Sequence, residues 1–297
     1  MMDGYNKEAI FHLAGVFMHY PLYSKLLEEI KANPDILKEN VKIGSIYGSP
    51  CGIWNGGRTI IKEDLKNLEF IANVQQMMEK YNIPVRFTFT NCLLKEEHLS
   101  DAYCNALLKL FNNGNNEVTC NSELLENYIR SKYGDRYRYI SSTTKRITDN
   151  DKQLEEINKD YHLVVVDYDY NKNFDFLNSI ENKSKCELLC NSVCKPSCEM
   201  RCQHYKALSQ AQLLNIACPF GCEYAVRPFY QVKNDATNGT FISAEDINDK
   251  YLPMGFENFK LEGRTNHPSD VVEILIYYII KDKYALEIRQ KLHACII

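Results

Sequence analysis

Cysteine is the residue whose spacing in this sequence most suggests chemistry. Seven of the twelve cysteines fall between Cys186 and Cys222. Cys186, Cys190, Cys194, Cys198 and Cys202 recur every four residues in CELLCNSVCKPSCEMRCQHY, and a second Cys-x3-Cys pair, Cys218 and Cys222, follows in ACPFGC. No basic segment followed by a long apolar stretch opens the sequence, so a secretory signal is not expected and the chain reads as cytoplasmic. In a reducing compartment clustered thiols act as metal ligands or redox groups rather than disulfides. Structural zinc prefers Cys-x2-Cys pairs in a small knuckle, whereas iron–sulfur clusters accept irregular spacing and ligands from distant segments. The irregular spacing here favours an iron–sulfur cluster, with zinc and simple thiol packing as the alternatives. The scattered Cys104 and Cys295 read as small buried hydrophobes.

Other groups could hold a substrate. Asn55, Gly56, Gly57 and Arg58 form a loop whose backbone donors and guanidinium suit an anion, although the glycines equally suit a tight turn. Lys260, Glu262 and Arg264 alternate in FKLEGR, so they point to one side and Leu261 to the other. Three charges on an inward face need partners, which predicts a buried network that either lines a pocket or merely fills the interior. His204 could be a ligand, a proton donor or a helix cap. Trp54 is the only tryptophan and suits stacking on a planar ligand or a place in the core.

These residues need a scaffold. Runs rich in Val, Ile, Phe, Tyr and Thr predict strands over 9–15, 41–48, 85–91, 117–121, 138–145, 162–169, 186–191 and 259–264. Between them, segments such as LYSKLLEEIKANPDILKEN, EDLKNLEFIANVQQMMEKY, SELLENYIRSKYG and SDVVEILIYYIIKDKY carry the spacing of amphipathic helices. Strand–helix alternation with short connections implies parallel strands. Eight units in 297 residues suit an α/β fold of the (β/α)8 TIM-barrel type, a single domain over 1–297 with a cysteine-rich loop at 186–222. An open doubly wound sheet is the competing architecture. Closure would gather the polar strand ends, Asn91, Asn121, Asn191, Glu262 and Arg264 among them, at one mouth. The alternative for the asparagines is that they simply start turns.

Composition excludes little but is consistent with this. Apolar residues make up 45% and charged residues 25% of the chain, ordinary values for a globular protein. The net charge of −4 leaves no footprint for non-specific nucleic-acid binding. VVEILIYYII (Val271–Ile280) is too short to span a bilayer, so no membrane association is expected.

The stretch ELLCNSVCKPSCEMRCQHY resembles the strand–Asn–x2-Cys-x3-Cys–x5-His-Tyr element of the collagenase-like peptidase family. FISAEDINDKYLPMGFENFKLEGRTNHPSDVVEILIYYII is similar to that family's closing segment, and IYGSPCGIWNGGR extends the likeness toward the start. The resemblance implies a barrel, with a cysteine-ligated [4Fe–4S] cluster in several members. Such relatives take part in oxygen-independent hydroxylation of a small aromatic molecule or of RNA bases, at times with a partner subunit of the same family. Residue by residue, Cys194 and Cys198 match the paired cysteines and Cys218 the next ligand. Cys51 and Cys222 compete for the fourth place, Cys51 having the better position at the rim. The family name also implies peptidase activity, yet no Ser-His-Asp set, nucleophile elbow or His-Glu-x-x-His occurs. On this reading Asn55, Arg58, Asn91, Asn121, Asn191, His204, Lys260, Glu262 and Arg264 orient the substrate. This chain is shorter than the RNA-modifying members.

Overall fold

A computed structural model describes residues 7–61, 66–222, 224 and 227–296. The strands are β1 (Ala9–Ala14), β2 (Val41–Gly48), β3 (Val85–Phe89), β4 (Glu117–Cys120), β5 (Arg138–Ser141), β6 (Leu163–Val165), β7 (Cys186–Leu189) and β8 (Asn258–Lys260). Each pairs in parallel with its sequence neighbours, and β8 pairs with β1, so the sheet is a closed (β/α)8 barrel rather than an open one. The helices Tyr20–Ala32, Leu68–Lys80, Ala102–Leu110, Glu123–Tyr133, Asn150–Asn158, Phe174–Ser179, Arg201–Leu214 and Pro268–Ile279 follow the strands in turn. Among the described residues no helix is long and apolar enough to cross a membrane.

Local signals set the boundaries. Ser122 caps Glu123–Tyr133 by accepting from the Leu125 amide, and Gly134 closes it at φ 50°. Asn67 caps Leu68–Lys80, so that helix starts inside the predicted span, of which residues 63–65 lie outside the described residues. The last predicted helix is two helices. Ile280 turns extended and bridges to Leu37, and the Lys281 amide donates to Ile36 O. Asp282–His293 then runs on as a separate helix tied to Tyr20–Ala32 by Lys291–Glu29. The final strand stops at Lys260, earlier than the sequence suggests, because the chain takes a φ of 150° at Gly263 and turns over the mouth.

Alternation along the strands sends apolar side chains such as Phe87, Phe89, Val118, Leu188, Phe259 and Leu261 outward into the helical layer. Cys120, Cys186 and Cys190 join them there as core residues. The barrel interior is polar instead. Arg86 donates from Nε to Glu117 and from Nη1 to Glu187, at 2.5 Å each, and from Nη2 to His12 Nδ1 at 2.8 Å. His12 Nε2 faces Asn258 Oδ1 at 3.2 Å, and its Nδ1 also meets Ser45 Oγ at 2.8 Å. A β-bulge at this point skips Gly44, where a Cβ would strike Ile10 and His12 at 2.5 and 2.7 Å.

Burial, reinforced by Arg86, lowers the His12 pKa from 6.5 to about 4. Burial alone would raise Glu187, but Arg86, Lys260 and His12 hold it well below the usual carboxylate range. Between pH 6.5 and 4 the unfolded chain binds a proton at His12 that the folded chain refuses. Stability should therefore fall on acidification through that window, by up to about 3 kcal/mol from His12. Urea unfolding from pH 7 to 4 measures it. A His12→Gln variant should flatten the dependence, and an unchanged slope would count against this assignment.

Candidate functional site

The strands' C-terminal ends open into a cavity of about 470 Å³. Lys260, Tyr47, Thr88, Thr119, Val165 and Leu189 lie at its floor, and Asn191, Glu262, Arg264 and Thr90 stand above them. Loops add Arg58, Arg227 and Thr143, and the helix Arg201–Leu214 adds Tyr205. The barrel's interior polarity thus continues upward into the mouth.

Cations dominate this surface. The buried Arg264 turns back over the floor and donates from Nη1 to Thr88 Oγ1, while its Nε has no partner among the described residues. Desolvation lowers its pKa to about 10, with Arg58 adding to the effect, yet it stays protonated at neutral pH. Gly57 makes room for the guanidinium, since a Cβ there would meet Nη2 at 2.6 Å. Arg58 is half-buried and donates to Gly57 O. Lys260 Nζ sits 3.2 Å from Glu187 Oε1 and 4.3 Å from the centre of the Tyr47 ring. Burial pushes its pKa down to about 8, because Glu187 is already shared with Arg86 and cannot fully compensate. The hydroxyls of Thr90, Thr119 and Thr143 also have no hydrogen-bond partner among the described residues. Unpaired buried donors around a cavity are a ligand-binding arrangement, because leaving them unpaired costs about 1–3 kcal/mol each.

The rim loop after β7 is pinned by ion pairs. Arg146 binds Asp167 and, at 3.1 Å, Asp169. The buried Arg201 reaches Asp169 at 3.1 Å and Lys195 O at 2.7 Å, stacks 3.8 Å over Tyr168, and so ties the loop to the end of β6. Tyr168 Oη lies 3.2 Å from Tyr205 Oη and also contacts the Cys194 thiol, whose pKa burial pushes up.

Of the residues expected to orient a substrate, Arg58, Asn191, Lys260, Glu262 and Arg264 line the cavity. Asn191 is committed to the backbone, exchanging hydrogen bonds with Glu262 N and O. The other four are not on the lining. Asn55 donates to Pro50 O, Asn91 donates to Ile53 O and Ser209 O, and Asn121 donates to Thr144 Oγ1. His204 stacks on Phe220 at 4.8 Å, and Trp54 is core, donating to His98 O and packing edge-on against Phe89. Sequence reasoning missed Arg86, Glu187, Thr88 and Thr119. Their signal was a charge or hydroxyl inside otherwise apolar strands, as in VRFTF and CELL.

No disulfide joins the cysteines. Among the described residues no group of three or more His, Cys, Asp or Glu side chains is placed to hold a metal ion. No three of Cys51, Cys194, Cys198, Cys218 and Cys222 therefore converge in this arrangement. Cys51 is buried, with its Sγ 3.8 Å from Asn215 Oδ1, whereas Cys198, Cys218 and Cys222 are partly exposed on the rim excursion. The donors are right in kind for a cluster, but as they stand they do not fit one.

No family model matches the chain. An uncharacterized protease of Methanocaldococcus jannaschii is 23% identical over 259 residues, covering 86% of this chain and 76% of the relative. The solved structure of a U32 peptidase matches with a TM-score of 0.51 at 12% identity, over 86% of this chain and 93% of that one, a likeness of fold. The motifs, the sequence likeness and the shared barrel agree, and the family they support is the collagenase-like, U32-type peptidase family.

Proposed function

We propose that the barrel mouth is the substrate site of an enzyme whose substrate is a small molecule, or an exposed group on a larger one, bearing a carboxylate or phosphate. The observation that carries this reading is that, among the described residues, the Nε of the buried Arg264 beside Arg58 and the Thr90 and Thr119 hydroxyls have no hydrogen-bond partner. A planar guanidinium with free donors suits bidentate capture of an oxyanion. Calorimetric titration of the whole chain with succinate and with inorganic phosphate tests it. Binding of either that weakens with salt supports the site, and no binding of both removes it.

The iron–sulfur reading rests on the thiols. Cys194 contacts Tyr168 beside the mouth, and Cys198, Cys218 and Cys222 follow it in the chain segment after β7. A [4Fe–4S] cluster there would supply electron transfer for oxygen-independent hydroxylation of an aromatic or RNA-borne substrate, but loading would require these cysteines to move together. Anaerobic reconstitution should give brown protein with about four irons per chain. Cys194→Ala and Cys198→Ala should lose the iron, while Cys104→Ala should keep it. One equivalent of zinc instead would favour a structural knuckle. Peptidase activity, which the relatives' names suggest, finds less support in the mouth. Among the described lining residues no serine, threonine or cysteine side chain is hydrogen-bonded to a histidine, and His267 Nδ1 accepts from the Ser269 amide.

A further inference from the structure

We infer that Lys260 is a carbonyl-reactive amine, whose Nζ condenses with a ketone or aldehyde on the anionic substrate to form an imine. The inference rests on the reading of the mouth as an anion-binding substrate site and adds a covalent step to it.

Three features place the chemistry. The amine stands at the floor of the cavity, at the end of the last barrel strand, where a ligand entering from the rim must stop. Its one carboxylate neighbour, Glu187 Oε1, has no conventional hydrogen bond, while Oε2 is held by Arg86. Oε1 is therefore the oxygen that faces the amine, at 3.2 Å. Above the amine, Arg264 reaches back to Thr88, so an oxyanion on its guanidinium would leave an adjacent carbonyl pointing at the floor. A 2-oxo acid has this disposition of groups. Burial also keeps a good part of the amine uncharged near pH 8, and only the uncharged form is nucleophilic. Lys260 also balances the charge of the interior, where Glu117 and Glu187 share Arg86.

The step balances without an oxidant or reductant. The Nζ lone pair attacks the carbonyl carbon, the C–N bond forms, and the oxygen takes a proton to give a carbinolamine. Nζ gives up two protons, both of which end on the carbonyl oxygen, and that oxygen leaves as water as the C=N bond closes.

The test is reductive trapping. The whole chain is incubated with pyruvate or 2-oxoglutarate at pH 8, reduced with sodium cyanoborohydride, and digested for peptide mass mapping. The expected result is one reduced adduct per chain, concentrated at Lys260 at least about tenfold over any exposed lysine, with the yield falling as the pH drops from 8 to 6. Lys260→Met should abolish it, and the wild-type map remains decisive if that variant does not fold. Adducts spread over exposed lysines, or no adduct while succinate or phosphate still binds the mouth, would overturn the imine and leave the substrate site standing. No binding of any of these anions would overturn both.

Discussion

Arg86→Met should destabilise the fold by about 3–5 kcal/mol at pH 7, because it strands two buried carboxylates. Glu117 and Glu187 are each at most 2% exposed, and Arg86 is the cation that touches both. Lys260 reaches only Glu187, and His12 is held neutral. Once the guanidinium is gone, the carboxylates must be protonated or hydrated, or must recruit His12 as a cation. The loss should therefore shrink near pH 5, opposite in sign to the acid sensitivity of the parent. Glu117→Gln with Glu187→Gln in the Arg86→Met background should recover much of it, since neutral amides carry less desolvation cost. Guanidinium unfolding of the three forms decides the matter. A loss under about 1 kcal/mol would mean that water or a rearranged network reaches the barrel floor.

Arg264→Leu should weaken succinate or phosphate binding by about 10- to 100-fold while leaving stability unchanged or slightly raised. The affinity loss follows from removing charged hydrogen bonds worth about 1.5–3 kcal/mol. The stability expectation follows from the cost of burying this cation. Its pKa is pushed down by desolvation, its side chain donates to a threonine, and it makes no ion pair among the described residues. A residue that costs the apo fold and serves a ligand shows this opposition, whereas a structural arginine loses stability on removal. Calorimetry and thermal unfolding of the same preparation separate the two. Intact affinity, or destabilisation of several kcal/mol, would place Arg264 in the scaffold.

Much of the barrel was legible because strand and helix periods alternate cleanly, and β2 runs over the span its residues predict. The ends were less legible. Strands rich in Asn and Thr beyond the paired part, such as Thr143–Lys145, become helical turns once no neighbour offers ladder hydrogen bonds. The alternation of Lys260, Glu262 and Arg264 placed three side chains in the cavity, because a two-residue period survives the turn at Gly263. It did not identify Lys260's partner, Glu187, which lies 73 positions earlier in the chain and meets it only through the β7–β8 pairing. Asn191 lines the cavity, whereas Asn55, Asn91 and Asn121 stand off its lining. Asn55 donates to Pro50 O and Asn91 Oδ1 accepts from the Leu93 amide, the local competition for backbone groups that makes Asn a turn former. Cysteine spacing could not say which thiols converge, since Cys186 lies in β7 and Cys190 just beyond it, and both pack outward like small hydrophobes.

The most direct test of the central claim, that the mouth is an anion-binding substrate site, is to locate an anion. Crystals of the whole chain soaked in selenate would be measured at the selenium edge. The account predicts an anomalous peak inside the cavity within hydrogen-bond reach of Arg264 Nε and the Thr90 or Thr119 hydroxyl, and its loss in Arg264→Leu. Peaks confined to surface lysines, with the mouth empty and Arg264 still folded onto Thr88, would contradict it.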